Sequence, residues 1–154
     1  MWYNPKMAPN DDTIFLKKSA DVLSFFNEEQ LRRITPDIER AAYAAGHTVV
    51  LRGEVTSGFY IIKKGSARAA YKTKTGTAQV DLKTGDFFGE LSLVEDMASD
   101  AAIKAMEDDT VILTIPSESF RKLLEMQPLL KSSLQTRIAE RRKALAAAPP
   151  RSAP

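Results

Sequence analysis

The densest chemistry in the chain lies in ten consecutive residues, Gly85-Asp86-Phe87-Phe88-Gly89-Glu90-Leu91-Ser92-Leu93-Val94. Gly89 permits a sharp backbone turn, and Glu90 to Val94 suit one turn of helix. A short helix entered through glycine leaves backbone N–H groups free, which is the chemistry of an anion site. Glu90 beside it can accept hydrogen bonds from sugar hydroxyls, and Ser92 adds a hydroxyl. The same residues also suit a buried helical turn that packs Leu91 and Leu93, with Glu90 favoured only by the helix dipole. A glycine followed by a glutamate does not separate these two readings.

Other chemistries are closed off by what the chain lacks. It has no cysteine, so thiolate metal sites, disulfides and cysteine nucleophiles are excluded, and no metal is expected. Its one histidine, His47, follows the Gly46 turn without a partner and reads as a surface turn residue. Glu90 and Glu95 lie about one helical turn apart, with no aromatic sugar platform, which argues against a glycosidase pair. Met97, Met106 and Met126 read as core filler. No enzyme and no cofactor are expected. Arg137, Arg141, Arg142 and Lys143 form a basic patch near the end, which the helix dipole alone can explain.

The elements that must position the ten residues follow from patterning. Length (154 residues), 44% hydrophobic and 27% charged residues indicate one globular domain. The first third reads as helical: Ile14, Phe15 and Lys18 have helical spacing, and Asn27-Glu28-Glu29-Gln30 is a capping box. The middle is β. Thr48 to Leu51, Gly58 to Ile62, Ala67 to Thr73, Thr77 to Leu82, Ala101 to Ala105 and Thr110 to Ile115 are short strands broken by glycine turns. Such spacing indicates a sandwich, jelly roll or small barrel. The end is helical, with Ser117 as a cap, an apolar face of Phe120, Leu123 and Leu124, and a restart at Gln127-Pro128. A stripe of Leu130, Leu134, Ile138 and Leu145 follows. Residues 1–11 and the Pro-rich 146–154 read as tails around a domain at 12–145. Trp2 and Tyr3 are a docking tail or plain chain end. No apolar run approaches a membrane span, and a cytoplasmic location is expected.

Phe88-Gly89-Glu90-Leu91-Ser92-Leu93, followed by Ala101-Ala102-Ile103, resembles the phosphate-binding cassette of cyclic nucleotide-binding domains. That family includes catabolite-activator-type regulators, protein kinase A regulatory subunits and cyclic-nucleotide-gated channels. Gly46, Gly53, Gly58, Gly65, Gly85 and Gly89 match its structural glycines, and Phe59-Tyr60-Ile61-Ile62 matches its Tyr-Ile-Ile strand. The likeness extends over residues 12 to 145. It implies a mainly β fold with flanking helices: a double-stranded β-helix (jelly roll) of about eight strands, an N-terminal helical segment and two C-terminal helices. It also makes Arg40 to Tyr43 a first strand.

By that resemblance, Phe88, Gly89, Glu90, Leu91, Ser92, Ser99, Asp100 and Ala101 form the ligand site. Glu90 would hold a ribose 2′-hydroxyl and the Gly89–Ser92 backbone a cyclic phosphate, with cAMP or cGMP as ligand. Arg141 or Arg142 on the last helix would act as a lid, hinged across Ser117 to Pro128. The chain departs from the family at the cassette's end. Where the family has arginine, spacing places Ser99, with Asp100 next to it. From Thr84 to Ile103 there is no Lys or Arg, while Asp86, Glu90, Glu95, Asp96 and Asp100 are acidic. Loss of such a charge-assisted pair costs ~1.5–3 kcal/mol. Arg68, Lys72 and Lys83 are the neighbouring strand cations that could compensate, or else a solvated strand face. Two functions are therefore expected. One is a regulatory ligand sensor that acts on an effector domain or partner protein absent from this chain. The other is a degenerate interaction or scaffold domain. A DNA-binding regulator is disfavoured because too few residues follow the last helix for a recognition motif.

Overall fold

The computed structural model describes residues 11–19, 23, 24, 26–74 and 76–147. Two four-stranded antiparallel sheets form the body. One is ordered β1 (Glu39–Tyr43), β8 (Thr110–Pro116), β3 (Gly58–Lys64), β6 (Phe87–Phe88). The other is ordered β2 (Thr48–Val50), β7 (Ala101–Ala105), β4 (Ser66–Thr73), β5 (Gly76–Lys83). Helices α1 (Asp11–Ser19) and α2 (Glu28–Ile34) precede them, and α3 (Leu91–Val94) interrupts them. Helices α4 (Ser117–Met126) and α5 (Leu129–Ala147) follow. The expected eight-strand β-roll with flanking helices is the observed fold.

Burial explains the strand compositions. In β3, Gly58 to Ile62 are all buried, because its sheet lies between two cores. Phe59 and Ile61 face the helices, packing with Phe26, Leu31, Phe120, Leu123, Leu130, Leu134 and Ile138. Tyr60 and Ile62 face the opposite sheet, packing with its Val50, Ala67, Ala69, Tyr71 and Ile103 and with Phe88 and Ile112 of their own sheet. A strand buried on both faces is a continuous apolar run, as this one is. Strand β4 alternates instead, since only one of its faces is covered. The aromatics stack in register: Phe59 lies 4.7 Å from Phe120 and 5.1 Å from Phe87, and Tyr60 lies 5.0 Å from Phe88.

The Asn27 capping box is present, with Gln30 N donating to Asn27 Oδ1 at 2.8 Å and Asn27 N to Gln30 Oε1 at 3.0 Å. His47 is exposed beside a turn closed by its own N–H on the Ala44 carbonyl. Three details differ from expectation. Ser117 does not cap α4; it is the first helical residue, and its hydroxyl donates to Ser57 O at 2.7 Å, pinning the helix start to the mouth of β3. Phe87-Phe88, not among the expected strands, is a short strand because Tyr60 and Ile61 offer it a paired edge. Helix α5 reaches Ala147, two residues past the expected boundary at 145. Apart from Asp11, Ala146 and Ala147, the proposed tails lie outside the described residues, as do Trp2 and Tyr3.

Candidate functional site

The site is built where β6 runs into α3. Gly89 has φ +85°, and a Cβ there would stand 2.5 Å from the Tyr60 ring, so both the turn and the packing require glycine. That turn carries Glu90 inward: the residue is 2% exposed, and its backbone starts α3. Thr56 holds the turn from the β2–β3 loop, its hydroxyl donating to Gly89 O at 2.8 Å. Two backbone bonds, Gly53 N to Ser99 O and Ser99 N to Glu54 O, both 2.8 Å, tie the same loop to the far side of the cassette.

These elements enclose a small recess. Phe88, Gly89, Glu90, Leu91, Ser92, Ser99, Asp100 and Ala101, all eight of the residues singled out in the sequence, line it. Thr56, Tyr71, Ile103 and Arg141 complete the wall. The open space left inside is about 10 Å³, room for about one water. Tyr71 was not foreseen as a lining residue, although it is an inward position of β4 paired directly with Ala101. The two-residue alternation Ala67, Ala69, Tyr71 along β4 was the signal that could have found it. Thr56 and Ile103 carry no comparable chemical signature in the sequence.

Arg141 fills the recess. Its Nη1 donates to Glu90 Oε1 at 2.6 Å, and its Nη2 lies 3.9 Å from Asp100 Oδ2. The guanidinium carbon stands 5.4 Å from the centroid of the Tyr71 ring, a cation–π arrangement. Burial alone would lower the Arg141 pKa, but the Glu90 carboxylate, with Tyr71 and Asp100 behind it, raises it above its usual value. Arg141 is therefore held in its charged form. Burial pushes the Tyr71 phenol up to about 12, with Arg141 opposing and Asp100 and Glu90 adding to the rise. Arg141 Nε is buried and finds no hydrogen-bond partner among the described residues.

The hydroxyls of Ser92 and Ser99 and the remaining expected cations have their own partners or positions. Ser92 Oγ accepts from Thr56 N and donates to Met97 O, both at 3.0 Å, so its hydroxyl braces the cassette rather than facing a ligand as an open donor. Ser99 Oγ donates to Ala101 O at 2.7 Å within its own turn. Arg142 lies outside the recess, on Glu95 at 3.1 Å and Met97 Sδ at 3.5 Å. Of the strand cations, Arg68 pairs with Asp81 at 2.7 Å, and none of Arg68, Lys72 and Lys83 lines the recess. Lys83 borders a hollow of about 410 Å³ with Arg137, and Lys72 one of about 530 Å³ with Arg142. Among the described residues, no cluster of three potential metal ligands occurs, and no helix is long and apolar enough to cross a membrane.

Comparison with known proteins places this geometry. The profile of the cyclic nucleotide-binding domain matches residues 40–127, more than half of the chain. Isozyme 1 of the cGMP-dependent protein kinase of Drosophila melanogaster is 30% identical over 118 residues, 74% of this chain and 15% of the kinase. The cAMP-dependent protein kinase regulatory subunit of Candida albicans is 29% identical over 107 residues, 70% of this chain and 23% of the subunit. The chain thus spans less than a quarter of the length of either curated relative. In fold it is similar to the regulatory domain of Toxoplasma gondii PKA crystallised with cAMP, with a TM-score of 0.73 and 24% identity. That match covers 83% of this chain and 48% of the other. The β-roll, the glycine-entered cassette and the profile match lead to one assignment: the chain belongs to the cyclic nucleotide-binding domain family.

Proposed function

We propose that this chain is a regulatory ligand sensor whose pocket is latched shut by its own C-terminal helix. Glu90 is the residue the resemblance assigns to a ribose hydroxyl, and here Arg141 holds it. Cyclic AMP or cyclic GMP would have to remove Arg141 from Glu90 to enter, using that carboxylate and the N–H groups at the start of α3. The observation that carries this reading is the 2.6 Å Arg141–Glu90 bond inside the recess. A ligand shifts the latch only by its differential affinity for the open state. Signal leaves through α5 to an effector outside this chain.

The helix has two parts with different roles. Leu130, Leu134 and Ile138 are at most 1% exposed in the core beneath α4. Swinging the whole helix from Gln127-Pro128 would uncover all three, at about 1.5–3 kcal/mol each. Residues 139–147 are held by Arg141, Arg142 and Leu145 and can lift without opening that core. Motion confined to this distal part is the cheaper response to ligand.

A second reading is favoured by one observation. With Ser99 and Asp100 at the cassette's end, the cation nearest the recess comes from α5 and is already paired. That pattern suits a domain that keeps the fold and has given up nucleotides for protein interaction. Calorimetric titration of cyclic AMP and cyclic GMP into the wild type and Arg141→Ala separates the two. The sensor reading expects weak binding that tightens at least tenfold in the variant. No heat from either protein at millimolar nucleotide would refute it.

A further inference from the structure

The recess as it stands is chemically suited to a cation. Among the described residues lining it, the acidic side chains are Glu90 and Asp100, and the one basic side chain is Arg141. Glu90 is 2% exposed, so an alternative occupant must leave it charge-paired or leave it a buried, uncompensated anion. The Tyr71 face supplies a flat π surface 5.4 Å from the guanidinium carbon. Nη1 bonds Glu90 and Nη2 lies 3.9 Å from Asp100, so the two carboxylates face different nitrogens of one planar group, a geometry that a fork matches better than a point-like ammonium. The group seated there is itself incompletely satisfied, because Arg141 Nε, buried, finds no partner among the described residues. A guanidinium that arrives from elsewhere is free of the constraint that the α5 backbone places on Arg141.

We infer that the recess is a guanidinium-binding site: its exchangeable ligand is a guanidinium group supplied in trans, which takes the seat that Arg141 holds in cis. The group can come from the arginine side chain of a partner protein or from a small alkylguanidine. This inference does not depend on cyclic nucleotide binding. It explains why an acidic, arginine-free cassette retains a buried carboxylate. Competition with Arg141 sets the wild-type affinity below the intrinsic one by the fraction of time the latch is open.

The test uses propylguanidinium, propylammonium and propylurea, titrated by calorimetry into the whole chain carrying Arg141→Ala. Propylguanidinium is expected to bind saturably and at least tenfold more tightly than the ammonium or the neutral urea. Adding Glu90→Gln to Arg141→Ala should abolish that preference, and the wild type should bind at least tenfold more weakly. Should Arg141→Ala unfold, Arg141→Lys vacates the fork while keeping a cation on α5, and the same order is expected. In the wild type, excess Nα-acetylarginine methylamide should shift the Arg141 Nε–Hε resonance. A blocked arginine that binds more tightly than agmatine points to a protein side chain, and the reverse to a small molecule. Equal binding of the three propyl compounds, or no saturation at concentrations on the order of 20 mM, overturns the inference. Cyclic nucleotide titrated in parallel keeps the readings apart. Guanidinium binding without nucleotide binding removes the nucleotide sensor alone, and nucleotide binding without guanidinium preference removes this inference alone.

Discussion

Removing the Arg141 side chain as Arg141→Ala should destabilise the fold, and by an amount the geometry bounds. Breaking a buried pair by deleting one partner costs about 3–5 kcal/mol when the remaining charge stays dry. Two features reduce that figure. Arg141 is 22% exposed, and its departure opens the recess so that water reaches Glu90. The substitution also deletes an unsatisfied buried donor, Nε, whose burial costs about 1–3 kcal/mol. The net loss is then about 2 kcal/mol, which for a chain of this size lowers the melting temperature by about 4–8 °C. Thermal unfolding followed by circular dichroism measures it, with Arg142→Ala as control. Arg142 is 44% exposed on its Glu95 partner, and such a pair contributes about 0–1 kcal/mol. Equal losses from the two variants would refute the claim that Arg141, and not the basic patch as a whole, closes the site. If Arg141→Glu were no worse than Arg141→Ala, the conclusion would be the same, since it would set three carboxylates together.

Further outcomes follow from the same geometry. Ser99→Arg with Asp100→Ala should tighten cyclic nucleotide binding at least tenfold by calorimetry; unchanged affinity would mean the phosphate does not sit beside these residues. Ser92→Ala should cost about 1–2 kcal/mol through its lost bonds to Thr56 N and Met97 O, with ligand affinity changed less than twofold. A large affinity change would return Ser92 to the ligand. Gly89→Ala should be among the most damaging single changes, costing more than the ~1–2 kcal/mol of a left-handed alanine because Tyr60 must also move. Tyr71 gives a pH signature. Its pKa is raised from 10.0 to about 12 in the fold, so its contribution is complete below pH 10 and is lost as the pH rises toward 12. Tyr71→Phe should flatten that alkaline loss in denaturant titrations.

How much of this was legible in the sequence can be judged residue by residue. Glycine spacing and β-branched runs located the strands, and Asn27-Glu28-Glu29-Gln30 located α2, because these are local signals in turn and cap chemistry. Ser117 misled because a serine before a helix is compatible with both a cap and a tertiary bond, and only the position of Ser57 O decides. The cassette was legible because its residues are contiguous. Arg141 was named as a lid beside Arg142, but one position on a helix is a rotation of about 100°. No local pattern says which of two adjacent arginines faces inward. The Arg141–Glu90 contact spans 51 residues and depends on how α5 crosses the mouth of the roll. The acidic, arginine-free stretch was readable; that a helix returns a cation to it was not.

The central claim is that Arg141 clamps the distal part of α5 over the recess and that releasing it frees that part. The absence of native cysteine allows clean spin labelling at Ala144→Cys on α5 and Lys104→Cys on the outer face of β7. Pulsed electron resonance then gives the distance distribution between the two. The account predicts a single narrow distribution in the wild-type background. With Arg141→Ala, or with saturating cyclic AMP, it predicts a broader, displaced one. A distribution that stays narrow and unmoved when Arg141 is replaced by alanine would contradict it.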